Sequence, residues 1–205
     1  MANLKKSRQE ILKKAAELGM EYEIKYVGCA PATFCAIVDA LRWGEMEIVP
    51  EDLEDRLFEG LSNLAGGVGI SGDGSCGCVS GSTVAISLAL GVPREEQQER
   101  DARTVIFRAV QKAVVDKFYE KYGSLICKDI QRKLFGKSYD LRIPEMREEF
   151  LREGGTFDIG ERVPRRWFCK TTDCIISQAA MWAVDCILDE FEKGNLRGVR
   201  VVAEA

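Results

Sequence analysis

The 205-residue chain reads as an all-α protein: a single-domain helical bundle of about six to eight helices, with a glycine-rich loop before its central helix. Apolar residues recur mainly at helical spacing, and strand-like alternation bounded by turns is scarce. Breaks between periodic stretches fall at glycine, proline and capping residues. With 46% hydrophobic residues a chain of this length can bury one sizeable core, so residues 1–205 are expected to form one domain.

The elements follow in order. Residues 5–18 predict a first helix, and Phe34, Ile37, Val38 and Leu41 give a second its apolar stripe. Leu53, Leu57, Leu61 and Leu64 mark a third after Pro50. Residues 75–90 are apolar on nearly every side and carry Gly77, Gly81, Ala85 and Ala89, which suits a closely packed central helix, a buried strand being the fallback. A charged helix over 95–122 turns Ile106, Val110, Ala113, Val114 and Phe118 to the core and ends at Gly123, a C-terminal cap. A short helix is expected over 127–135. The polar stretch 136–166 offers a helix only at 144–152 and is where the most mobile surface is expected; 137–170 reads as a variable, loop-rich insertion. The last helix, 174–192, buries Ile176, Ala180, Ala183, Ile187 and Phe191, and 198–205 could add a short strand whose partner the sequence does not identify.

A net charge of −4 with interleaved acids and bases argues against a nucleic-acid partner. Residues 1–14 are charged and lack a secretory apolar run, and no stretch reaches the roughly 18 apolar residues of a membrane helix. A cytoplasmic location without membrane insertion is therefore expected, where thiols stay reduced and a disulfide scaffold is not. The sequence leaves the oligomeric state open, a homodimer being one option.

Eight cysteines and no histidine make sulfur the main chemistry on offer. The missing histidine excludes His-based triads and haem attachment through C-x-x-C-H. Cys29, Cys76, Cys127 and Cys174 each stand where a helix is expected to begin. Cys29 precedes Pro31 by two residues, Cys76 follows Ser75, Cys127 comes three after Ser124, and Cys174 follows Asp173. A helix N-terminus carries about half a positive charge and unpaired N–H donors, so it favours the thiolate, the form that binds metal and attacks disulfides. Cys35 and Cys186 lie among apolar neighbours inside helices and read as core residues.

The stretch from Leu64 to Gly81 is glycine-rich. Gly67, Gly69 and Gly72 match G-x-G-x-x-G, yet that dinucleotide fingerprint needs a preceding strand, and here a helix comes first. Glycines also let backbone N–H groups approach a bound anion, as around iron–sulfur clusters, so Gly67, Gly69, Gly74 and Gly77 are candidate cofactor-binding positions. Cys76 and Cys78 end this loop at a helix start. The four helix-start cysteines are 47, 51 and 47 residues apart, unlike the short pairs of zinc modules or ferredoxin runs, so a centre would be assembled from distant helices.

Gly28-Cys29-Ala30, the loop ending Cys76-Gly77-Cys78-Val79-Ser80-Gly81, Gly123-Ser124-Leu125-Ile126-Cys127 and the Cys174 helix start together resemble the redox-active protein family named for its C-GCAxxG-C-C cysteine pattern, over roughly residues 20–190. The resemblance implies four shared cysteines at Cys29, Cys76, Cys127 and Cys174, with Cys169 five residues from the last as its rival. Cys78 stands where the pattern usually has alanine and is a candidate additional ligand. What the resemblance implies is a redox role with a prosthetic group, an iron–sulfur cluster, exchanging electrons with a partner protein. An oxidoreductase component is conceivable if one iron stays open. Two other classes remain in view: a metal-free thiol–disulfide oxidoreductase or redox sensor, and a structural zinc protein serving in assembly.

Overall fold

The computed structural model describes residues 4–26, 28–152 and 172–201. Helices dominate: α1 (Arg8–Lys25), α2 (Cys29–Trp43), α3 (Glu51–Ser62), α4 (Gly77–Leu90), α5 (Arg100–Val110), α6 (Asp116–Tyr122), α7 (Cys127–Phe135), α8 (Pro144–Arg152) and α9 (Ile175–Glu192). The only strands among the described residues are β1 (Met46–Glu47) and β2 (Arg200–Val201), an antiparallel pair in which Met46 faces Val201. The tail strand thus finds its partner just after α2. No described helix is long and apolar enough to cross a membrane.

α1, α2, α4 and α9 pack on one another and enclose the main core. α2 is buried along nearly its whole length, from Ala30 and Phe34 through Ile37 and Val38 to Leu41. α4 and α9 supply Ile86, Ala89 and Leu90, and Ile176, Ala180, Ala183 and Ile187. Phe191, expected among these, is only partly buried.

Three helices differ from expectation, each for a local reason. α1 starts at Arg8 because Ser7 and Glu10 form a reciprocal capping box, and it runs on to Lys25, burying Tyr22 and Glu23. α3 lies at the edge, so Leu53 is 51% exposed and only Leu61 is buried; Leu64 follows the helix end. The Arg42–Glu54 ion pair at 2.7 Å and the Tyr26–Phe58 ring contact hold α3 there. The helix expected over 95–122 begins with a 3₁₀ turn at Glu96–Gln98, and a π turn at Gln111–Val115 joins α5 to α6 in one rod. A π turn adds a residue to one helical turn and so rotates the face that follows it. Ala113 and Val114 within it and Phe118 and Tyr122 after it are buried; in α5 only Ala109 is fully buried, with Ile106 and Val110 packed partly buried against the same core. Phe118 and Tyr122 both meet Trp182 of α9.

α7 and α8 fall on the expected residues, and αL glycines at Gly123 and Gly136 end α6 and α7. Of the expected loop-rich insertion, residues 153–170 lie outside the described residues. Residues 139–150 add a small second core of Tyr139, Leu141 and Phe150, covered by Ile70 and Phe135.

Close contact between α2 and α4 depends on a missing side chain. A β-carbon at Gly81 would stand 2.4 Å from the Ala30 carbonyl oxygen, so the helices would have to separate. Gly81→Ala is expected to cost about 1–3 kcal/mol in urea unfolding. Gly60→Ala, in α3 with nothing within 4 Å of the added carbon, should instead stabilise by about 0.5–1 kcal/mol.

Candidate functional site

All four expected cysteines stand at helix starts. Cys29 opens α2, Cys76 is the N-cap of α4, Cys127 opens α7, and Cys174 is the N-cap of α9. The expected capping side chains do other work, and none of these four helices has a side-chain cap bond. Ser75 pairs with Ser80, Ser124 accepts the Ile126 N–H and donates to Asp129, and Asp173 pairs with Lys121.

Backbone groups bring the first three together. The N–H groups of Cys127 and Lys128 donate to the Gly74 and Gly72 carbonyls at 3.0 and 2.9 Å, so the glycine loop itself caps α7. Cys76 N–H donates to the Leu125 carbonyl at 2.8 Å, which ties the start of α4 to the same place. On the other side α4 rests on α2 through Gly77, where a β-carbon would stand 2.4 Å from Cys29 Sγ.

The loop does not offer its donors as expected. Gly69 and Gly74 spend their N–H groups on the carbonyls of Asn63 and Gly67, because the loop closes on itself through successive left-handed turns. Gly67 lies against Cys127: a β-carbon on it would stand 2.9 Å from that residue's Cβ. Gly77 does present its N–H to a sulfur, that of Cys29, together with the N–H of Gly66. The donors therefore converge on one thiol.

Cys29, Cys76, Cys78 and Cys127 line a cavity of about 60 Å³, enough for a few water molecules or a small metal centre. Its other walls include Ile130, Leu134, Phe135, Leu141, Phe150 and Ile176, with Glu23 and Gln131 as polar residues. Cys174 does not line it, although the next residues, Ile175 and Ile176, do. Cys174 is disulfide-bonded, whereas the six other described cysteines are free; Cys169 lies outside the described residues. Cys174 Sγ lies 3.2 Å from Ser177 Oγ, whose hydroxyl donates to Ala16 of α1. Cys174 thus sits at the α1–α9 contact and does not line the cavity.

Cys29 is held well below the ordinary thiol range, first by the Cys76 thiol, then by the Cys78 thiol, with the Gly66 and Gly77 N–H groups adding to them against burial. Cys76 is driven well above that range, chiefly by its hydrogen bond to Cys29. Burial drives Cys78 up as well, followed by its bonds to Cys29 and Cys76. Cys127 is pushed up to about 12 by burial and then by the charge on Cys29, while Gln131 opposes the rise. Among the four, the Cys29 thiol is the one held low and the other three are pushed up.

Three buried cysteines and the half-buried Cys29, with an apolar surround and few competing donors, are the ligand chemistry of zinc and of iron–sulfur clusters. Among the described residues, no group of three or more His, Cys, Asp or Glu is already arranged to hold a metal ion. Cys35 and Cys186 stay away from the site, with thiols pushed up by burial to about 12 and about 11.

Glu23, Gly66 and Gln131 were not legible as site residues. Glu23 falls beyond the expected end of the first helix, and Gly66 precedes the glycines that form the fingerprint match. Gln131 had one usable signal: it stands four residues after Cys127 and so shares a helix face with it.

A family described as "Putative redox-active protein (C_GCAxxG_C_C)" matches residues 27–157, a span that contains Cys29, Cys76, Cys78 and Cys127 but not Cys174. No curated protein and no solved structure matches the chain.

In the reduced, metal-free protein Cys29 should be alkylated first, since a lowered pKa leaves thiolate present below the free-cysteine value of about 8.5. Cys76 and Cys78 should react only at higher pH. Peptide mapping after iodoacetamide pulses across pH checks this order, and Gly77→Ala should move the Cys29 profile upward by displacing its sulfur. Equal profiles for the cysteines would contradict it.

Proposed function

The chain belongs to the C_GCAxxG_C_C family of redox-active proteins, and from that membership we propose that Cys29, Cys76, Cys78 and Cys127 hold an iron–sulfur cluster, or a closely related thiolate-bound metal centre, for electron transfer with a partner protein. The observation that carries the proposal is the convergence of cysteines from three helix N-termini on one cavity. Such a centre supplies one-electron chemistry when bound.

The protein's own part is charge and shelter. Cys29 already favours the anion a ligand must be, with the Gly66 and Gly77 N–H groups directed at it. The N-terminal dipoles of α2, α4 and α7 favour negative charge on the sulfurs there. Leu141, Phe135 and Phe150 wall off water, and lower exposure is one of the levers on a cluster's potential. The Cys174 position does not enter this ligand set. Six free cysteines suit a reducing compartment such as the cytoplasm, and the disulfide at Cys174 is the exception to the expectation that thiols stay reduced.

A second reading rests on the contact of Cys29 with the Cys76 and Cys78 thiols. Without metal, the Cys29 thiolate attacks a partner's disulfide and expels one partner thiolate. Cys76, deprotonated in turn, attacks Cys29 in the mixed disulfide and releases the second, leaving a Cys29–Cys76 disulfide and a reduced partner. Zinc held by the same four sulfurs would instead make the site structural.

Anaerobic reconstitution of the reduced chain with iron and sulfide tests the proposal. Wild type should develop visible sulfur-to-iron absorption; Cys29→Ser, Cys76→Ser and Cys127→Ser should lose most of it, and Cys174→Ser should keep it. Absorption that never develops, or that survives all three substitutions, would refute the cluster.

A further inference from the structure

Gln131 stands one helical turn after Cys127 and is 8% exposed. A buried amide costs about 1–3 kcal/mol unless its polar atoms are bonded, and here both ends are. The backbone N–H of Tyr139 donates to Gln131 Oε1 at 2.8 Å. A backbone N–H can only donate, so this bond fixes which end of the amide is oxygen. The NH₂ end is thereby left to donate to Cys127 Sγ, at 3.6 Å.

The two bonds join two parts of the site. A thiol sulfur is a weak acceptor and an anionic sulfur a much stronger one, so the N–H···S bond gains strength when Cys127 serves as a ligand. Tyr139 belongs to the small core that also contains Leu141 and Phe150, and those two residues wall the sulfur cavity. The Tyr139 and Phe150 rings meet edge to face at 5.1 Å. One side chain therefore fixes a sulfur and anchors the segment that covers it.

We infer that Gln131 is a positioning residue of the sulfur centre: its N–H stabilises the anionic Cys127 sulfur, and its carbonyl locks the cover formed by residues 139–150 onto the same site. This rests on the metal-centre reading of the four cysteines. Partners of this kind typically account for 10–100-fold in metal affinity, and hydrogen bonds to ligand sulfur adjust a cluster's potential.

Two variants separate the roles. Gln131→Glu keeps an oxygen for the Tyr139 N–H and removes the donor to sulfur; Gln131→Met removes both bonds at similar length. Co²⁺ alone is titrated into the reduced full-length chain against a competing chelator. Both variants should bind about tenfold or more weakly, with a shifted sulfur-to-cobalt absorption band. Gln131→Glu should melt closer to wild type than Gln131→Met does. In a Cys127→Ser background the Gln131 substitutions should lose most of their effect on affinity, a dependence that a purely structural residue would not show. Where iron and sulfide load, the potential of both variants should be more negative. Wild-type affinity and an unshifted band in Gln131→Glu would overturn the inference. If wild type binds no Co²⁺, the metal-centre proposal fails, and the inference, which rests on it, is overturned with it.

Discussion

At Gly77 and Gly81 the first turns of α4 lie so close to α2 that a single β-carbon would stand 2.4 Å from the Cys29 sulfur at one position and from the Ala30 carbonyl oxygen at the other. This approach sets where Cys76 and Cys78 can be. It puts their thiols within hydrogen-bonding reach of Cys29 and aims the Gly77 N–H at its sulfur. Core packing and site geometry thus share one contact, since interiors packed at crystal-like density have no slack to absorb an added methyl group.

The second constraint is the backbone stitching of the glycine loop to α7. A helix must satisfy its first N–H groups, and α7 does so with the Gly72 and Gly74 carbonyls in place of a capping side chain. Cys127 is carried to the cavity by that exchange. Charge then follows from burial: four thiols share a small apolar space, Cys29 is held low because its neighbours donate to it, and burial, with the interaction with Cys29, pushes the others up. A cation entering such a space would be welcomed by the negative sulfur, and an added anion would not.

Where local chemistry decides an element, the sequence was a good guide. Pro144 and the glycines Gly123 and Gly136 bound their helices, so α7, α8 and the end of α6 fall on the expected residues. The helix-start cysteines were legible for a similar reason, although the groups that cap those helices were not. Tertiary choices were hidden. The π turn at Gln111–Val115 interrupts the rod and nothing in a 3.6-residue period announces it, although the expected stripe of Ile106, Val110, Ala113, Val114 and Phe118 does meet the core. The four leucines of the third helix look like a core stripe until α3 proves to lie at the edge. Two-residue strands such as Met46–Glu47 have no period at all. In the site, Cys78 was legible from its place in the loop, whereas Glu23 and Gln131 come from helix faces that only the packing of α1 and α7 turns inward. Cys174 has the same helix-start position as the others, yet its helix presents the next residues to the cavity.

What ties these features together is the claim that Cys29, Cys76, Cys78 and Cys127 form one centre. The most direct test is the iron, zinc and acid-labile sulfide content per chain of protein purified without oxygen. Iron and sulfide are expected in stoichiometric amounts, lost when Cys29 is replaced by serine. Protein that carries neither, with all four thiols free to react, would contradict it.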